Sequence, residues 1–435
     1  MGGVGSISVL HGWLPAVSWI AALAGLVFLL LPRPRRRWYV AYPVLLVLAV
    51  AITWILYVLL VYVWLVISEP LPMEVLAWAA GAIWGILLAL YSGFRSPWRW
   101  RSCAAAAGIA VVVLGGLQVN AYFGQYLTVG SLLGTPLAVP ALPAALERGG
   151  GQGPGSAASG PDAVMPSHGT VAQASIPAPA SGFEARNAII YLPPAYDPRE
   201  TDPRGTTTLP VLVLVAGQPG GPQRWLDAGE LAPTLDSFAA AHQGQAPVVV
   251  VVDPNGSIAG NTMCMDSRIA RADTYLSVDV PNWITRTLNV SAPGRGWAFG
   301  GFSFGGTCAL QMGTMHPQIY PGVIDISGQR EPALSVSRRD TIARSFGGDA
   351  AAFDSRVPLT LLQHRRYPAT HAFFAVGARD RHYGAAQDVV VPAARAAGMD
   401  VQATRVAGAG HSWAAARAGL AAGLQFLAPT WGMGR

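Results

Sequence analysis

The sequence predicts an all-α region of four transmembrane helices followed by an α/β unit with a doubly wound, mostly parallel sheet. Three observations carry this. Four long apolar runs fill the first 125 residues, short β-branched runs alternate with helical patterns beyond residue 183, and one of those runs ends in a Gly-x-Ser-x-Gly pentapeptide. The expected boundaries are residues 1–125 for the helices, 126–182 for a connector and linker, and 183–435 for the sheet unit.

Composition supports two units in two solvents. A mean hydropathy of +0.37 with 12% charged residues is too apolar for an ordinary soluble protein of 435 residues. The net charge of +6 is concentrated in two short loops between apolar runs, which reads as membrane topology rather than a nucleic-acid groove. Lysine is absent and all 29 basic side chains are arginine, a signature of GC-rich bacterial coding.

A helix needs about 20 apolar residues to cross a bilayer, because lipid offers its backbone no hydrogen-bond partners. Residues 7–31, 39–67, 73–94 and 102–123 meet that requirement. The loops with Arg33, Arg35, Arg36 and Arg37 and with Arg95, Arg99 and Arg101 are basic, whereas the loop around Glu69 is not. The positive-inside rule then places both arginine loops in the cytoplasm, and the N-terminus and everything after Phe123 outside it. No basic n-region precedes the first run, which argues against a cleaved signal peptide. The start at Gly2 fits a myristoylation pattern by chance in a glycine-rich segment. No acid or histidine pair within the spans marks an ion path, so the bundle reads as an anchor.

From about residue 147 to 181 the chain is Gly, Ala, Pro and Ser with few large apolar residues, the composition of a flexible tether. Strands are expected at 188–192, 211–215, 248–252, 296–299, 323–326, 372–376 and 401–406. The near-continuous valine runs at 211–215 and 248–252 suit strands buried on both faces. Helical segments between them imply crossovers and hence a parallel sheet.

Gly301-Phe302-Ser303-Phe304-Gly305 lies between a strand and a helical stretch, the setting of a nucleophile elbow with Ser303 as nucleophile. Its partner base is expected late in the chain. His411, after the 401–406 strand, is the leading candidate, with His364, His371 and His382 as competitors. Asp380 follows the 372–376 strand and is the leading orienting acid, with Asp325 and Asp388 as alternatives. The order Ser, Asp, His agrees with an α/β-hydrolase. An oxyanion needs two donors, expected at the N–H of Phe304 and, from the glycine-rich loop after Val215, the N–H of Gln218. Cys264 and Cys308 both fall in the outer unit, where a disulfide can form; Cys103 falls in a span. No Cys/His cluster suggests a metal, and no cofactor is implied.

Tyr191-Leu192-Pro193-Pro194-Ala195-Tyr196, the elbow, Gly377-Ala378-Arg379-Asp380 and Gly410-His411-Ser412-Trp413 together resemble one esterase family. It includes enterochelin-esterase-like enzymes, S-formylglutathione hydrolases and mycolyltransferases. The resemblance spans residues 183–427 and implies a serine carboxylesterase acting through an acyl-enzyme. Two departures stand out. Ala216-Gly217-Gln218 replaces the Asp-Gly or His-Gly pair common in the family, and the acid is aspartate where mycolyltransferases typically use glutamate. The expectation is a multi-pass membrane protein with an extracytoplasmic esterase unit and a lipid or cell-envelope ester as substrate. The alternatives are an acyltransferase using a sugar or lipid acceptor and an inactive hydrolase scaffold.

Overall fold

The computed structural model describes residues 4–31, 38–64, 69–94, 96–133, 138–150, 166–199 and 208–433. The expected loop at Arg33–Arg37, Arg95 and residues 151–165 of the expected linker lie outside the described residues. Two compact units divide the chain, Met1–Pro136 and Leu137–Arg435.

In the first unit, α1 (Trp13–Leu30), α2 (Trp38–Val58), α3 (Met73–Gly93) and α4 (Trp98–Phe123) are long and apolar enough to cross a membrane. A π-helical turn, Leu59–Val63, extends α2 to a 26-residue run. The first helix begins later than residue 7, because Gly12 has a φ of 88° and the chain before it is held otherwise. Ser8 bridges Thr128, with Val9 N–H donating to Leu127 C=O at 3.0 Å and Val129 N–H to Ile7 C=O at 2.9 Å. The N-terminal segment and the chain leaving α4 therefore meet at one end of the helices.

Small residues set the helix spacing in this unit. A Cβ on Gly108 would come within 2.7 Å of Ala89 Cβ, and one on Gly85 within 2.6 Å of Val111. Such close approach is how helices pack when lipid gives no hydrophobic drive between them. Ile20, Leu23, Val47, Trp54 and Leu90 point outward and are exposed, a surface suited to hydrocarbon rather than water.

The second unit is an eight-stranded sheet in the order β1-β2-β4-β3-β5-β6-β7-β8. The strands are β1 (Thr170–Ala174), β2 (Ala188–Leu192), β3 (Val211–Val215), β4 (Val248–Val252), β5 (Trp297–Phe302), β6 (Gly322–Ile326), β7 (His371–Gly377) and β8 (Asp400–Val406). β1 and β2 pair antiparallel, as do β2 and β4, and the rest of the sheet is parallel. Strands β2 to β6 are buried along their full length, as the valine-rich runs require, whereas β8 is an exposed edge. This is the α/β-hydrolase arrangement. Its parallel core brings the C-terminal ends of β3, β5, β7 and β8 to one rim.

The sheet unit begins well before Phe183. β1 falls inside the expected linker, and the preceding stretch is docked as well. Gln173 N–H donates to Pro140 C=O and Leu142 N–H to Gln173 C=O, both at 2.8 Å. Val139, Leu142 and Leu146 pack against the core. Tyr196 OH reaches Leu146 C=O at 2.9 Å, and Arg148 N–H reaches Thr287 C=O at 2.7 Å. The described residues on either side of the low-complexity stretch thus belong to the same unit. Composition hid this because three small apolar contacts separated by prolines carry no periodicity.

Candidate active site

β5 runs into the helix Phe304–Met315 through Ser303, whose φ of 59° and ψ of −118° lie outside the ordinary range for a side-chain-bearing residue. The flanking glycines allow this turn. A Cβ on Gly301 would overlap the backbone of Gly305, and one on Gly305 would overlap the carbonyl of Val215 on the neighbouring strand. Ser303 N–H is satisfied by Ile326 C=O at 2.8 Å, so the turn is pinned to β6. Strain of this kind persists where its surroundings over-determine it, and active sites are where it collects.

His411 lies in the loop after β8. That loop docks on the end of β7, where Arg379 N–H donates to Ala409 C=O at 2.9 Å and a Cβ on Gly377 would collide with Gly410. Asp380 is the N-cap of the helix Arg381–Ala396, its Oδ1 accepting from Tyr383 N–H at 3.2 Å. The other oxygen, Oδ2, lies 2.9 Å from His411 Nδ1, and His411 Nε2 lies 2.9 Å from Ser303 Oγ. A carboxylate only accepts, so Nδ1 carries the proton and Nε2 is left to accept from the serine hydroxyl. All three groups are largely withdrawn from water, with Ser303 at 7% and the Asp380 and His411 side chains at 4% and 15% exposure.

The competing residues go elsewhere. Asp388 pairs with Arg405 at 2.7 Å, and His371 pairs with Asp400 at 2.9 Å. His382 packs edge-on against Tyr383. Asp325 is buried beneath the helix Phe304–Met315, accepting from Gly328 N–H at 2.8 Å.

Burial pushes the Asp325 carboxyl up to about 8. A raised folded-state value means that the native state keeps a proton the unfolded chain has lost. The associated stability is fully present below the unfolded value near 4 and is lost as pH rises through 8. Asp325→Asn is therefore expected to match the wild type near pH 4 and to melt several degrees higher at pH 8.5. Thermal unfolding across that range tests it, and a melting difference that stays flat with pH would contradict it.

The loop expected to supply the second oxyanion donor passes beside the nucleophile, a Cβ on Gly217 falling 3.4 Å from Ser303 Cβ. Its Gln218–Pro219 peptide is cis. Phe304 opens the helix after Ser303, where backbone N–H groups lack intrahelical partners. Cys264 and Cys308 are joined by a disulfide with Cα atoms 5.7 Å apart, while Cys103 is free and exposed on α4.

Two aromatic neighbours of the imidazole escaped the sequence reading. Tyr383 stacks on His411 at 3.9 Å between ring centroids and 11° between planes, and Phe302 stacks on it at 4.9 Å and 28°. Phe302 in turn packs on Trp413, and Trp413 on Trp225, whose Nε1 donates to Val215 C=O at 3.1 Å. This stack fixes the plane of the imidazole. Tyr383 was findable, since an N-capping aspartate draws its bond from the residue three positions on.

The Esterase family's sequence profile matches residues 183–427. A Corynebacterium glutamicum protein described as uncharacterized is 33% identical over 411 residues, covering 92% of each chain, so that match extends into the apolar helices. Among solved structures, a ferulic acid esterase superposes with a TM-score of 0.50 at 17% identity, over 60% of this chain and 99% of its own. An S-formylglutathione hydrolase from Agrobacterium tumefaciens also gives 0.50, at 15% identity, over 62% of this chain and 98% of its own. At such identities the likeness is one of fold.

Proposed function

We propose, since the chain belongs to the esterase family, that it is a membrane-anchored serine esterase whose sheet unit faces away from the cytoplasm. The observation that carries the catalytic part is the pair of 2.9 Å contacts joining Ser303, His411 and Asp380. Ser303 Oγ attacks the ester carbonyl while His411 Nε2 takes its proton. His411 returns that proton to the departing alcohol and then activates water to release the acid from Ser303. Asp380 holds the imidazole in the required tautomer and stabilises its cation. The N–H groups of Phe304 and Gln218 receive the oxyanion.

The orientation rests on Arg99 and Arg101 in the first turn of α4, at the opposite end of that helix from the Ser8–Thr128 bridge. A disulfide in the sheet unit fits an oxidising compartment. Incubating the protein with a fluorophosphonate tests the catalytic reading. Covalent labelling at Ser303 is expected, and an unlabelled, folded protein would reject the reading. Adding sugar or lipid alcohols to an ester assay separates hydrolysis, which leaves free acid, from acyl transfer.

The substrate is a lipid or cell-envelope ester at the membrane surface. This is supported by the short connection between the units, since four residues separate Leu133 from Ala138. Inserting about 30 Gly/Ser residues there is expected to slow turnover of a bilayer-embedded ester severalfold by lowering its effective concentration, leaving a soluble ester unaffected. The same insertion within 151–165 should change neither. Equal effects at both positions would remove the case for a surface substrate.

A further inference from the structure

The oxyanion loop, residues 216–221, has no regular structure and contains Gly217, Gly220 and Gly221. Its position is set by neighbours. Gly220 N–H donates to Ile258 C=O at 3.0 Å, and Gln218 Nε2 donates to Ala259 C=O at 3.3 Å. From the other side, Arg186 Nη2 donates to Gly220 C=O at 2.8 Å. The guanidinium is itself fixed in a forked pair with buried Asp253, at 2.7 Å from Nε and 2.9 Å from Nη2. Asp253, Ile258 and Ala259 all belong to the segment that follows β4.

That segment is stitched to the helix that follows the nucleophile. Thr262 Oγ1 donates to Pro254 C=O at 2.8 Å and Thr262 N–H to Asn255 Oδ1 at 3.0 Å, closing the segment on itself. Met263 and Cys264 come next, with φ of 58° and 51°, a conformation that side-chain-bearing residues adopt only when held there. The helix Phe304–Met315 holds them at two points, through the Cys308–Cys264 disulfide and through Gln311 Nε2 donating to Met263 C=O at 3.0 Å.

We propose that the Cys264–Cys308 disulfide and the Arg186–Asp253 pair are positioning residues of one brace, which makes the nucleophile helix and the oxyanion loop move as a unit. The proposal rests on the serine-esterase reading above. Freed from the helix, Met263 and Cys264 relax toward ordinary φ, and the carbonyls of Ile258 and Ala259 shift with them. A donor displaced from the oxyanion's position weakens transition-state binding while leaving the ground-state complex intact, so the loss falls on kcat rather than KM.

The test uses the full-length protein in detergent, a soluble nitrophenyl ester, and three changes: Cys264→Ala with Cys308→Ala, Arg186→Gln, and both together. Each of the first two is expected to lower kcat by about 10–100-fold with KM within about twofold, in line with partial loss of one oxyanion donor. The combination should cost little more than the worse of its parts, because the two act through one loop. Wild-type kcat in the disulfide variant, losses that multiply, or an effect confined to KM would each overturn the brace. Should the cysteine variant fail to fold, Arg186→Gln and Gln218→Ala carry the same expectation with the disulfide in place, and wild-type kcat in both overturns it. A wild-type protein that fluorophosphonate does not label instead sinks the esterase reading itself, which separates the two failures.

Discussion

Ser303→Ala is expected to lower kcat for ester hydrolysis by about 10⁵–10⁶-fold and to abolish fluorophosphonate labelling. Removing Oγ deletes the proposed nucleophile, and the imidazole 2.9 Å away then has no hydroxyl to deprotonate. The proposed oxyanion donors, the N–H groups of Phe304 and Gln218, are untouched by the change, so KM should change little and a residual rate above the uncatalysed reaction should survive. Folding should be unaffected, because alanine meets the same backbone requirement at φ 59° and Ser303 N–H keeps its bond to Ile326. Steady-state kinetics on purified variant and parent, with melting curves as a control, decide the matter. A rate within tenfold of the parent would remove Ser303 from the mechanism.

Asp380→Asn is expected to cost about 10⁴-fold in kcat near neutral pH. Asparagine can keep the capping bond to Tyr383 N–H through its carbonyl oxygen, at the position where Oδ1 now accepts at 3.2 Å. Its amide nitrogen then faces His411 Nδ1 across the present 2.9 Å contact, and a donor there forces the imidazole proton onto Nε2. Nε2 can no longer accept from Ser303, although every heavy atom stays where it was. The loss should therefore appear without a fall in melting temperature. A loss below tenfold would show that Asp380 does not set the tautomer. Asp325 is not placed to substitute, since its carboxyl is spent on Gly328 beneath the helix.

Aromatic packing bears on both results. The imidazole lies between Tyr383 and Phe302, so its ring plane does not depend on the Asp380 bond alone. That is why the asparagine variant is expected to lose proton transfer and keep its geometry.

Much of this site was legible one residue at a time. Ser303 was readable because glycine at 301 and 305 is a steric requirement of the turn. Val211–Val215 and Val248–Val252 were readable because strands covered on both faces need unbroken apolar runs. The four long apolar helices were readable because each is an unbroken apolar run of about the length a bilayer crossing would need. β1 was not legible, since Thr170–Ala174 is short, mixed in polarity and embedded in low-complexity chain, and it forms through pairing with β2. The sheet's extension upstream of Phe183 is hidden in the sequence for the same reason.

What local sequence decides here is whatever a segment must satisfy within itself: apolar length for the long helices, period and bulk for strands, absent side chains for a strained turn. The convergence of Asp380, His411 and Ser303, the stacking of Tyr383 on the imidazole, and the tie from Cys308 through Cys264 toward Gln218 were decided by the fold. Each joins positions distant along the chain, and their distances follow from which strands lie side by side, an outcome of packing the whole core that no single stretch encodes.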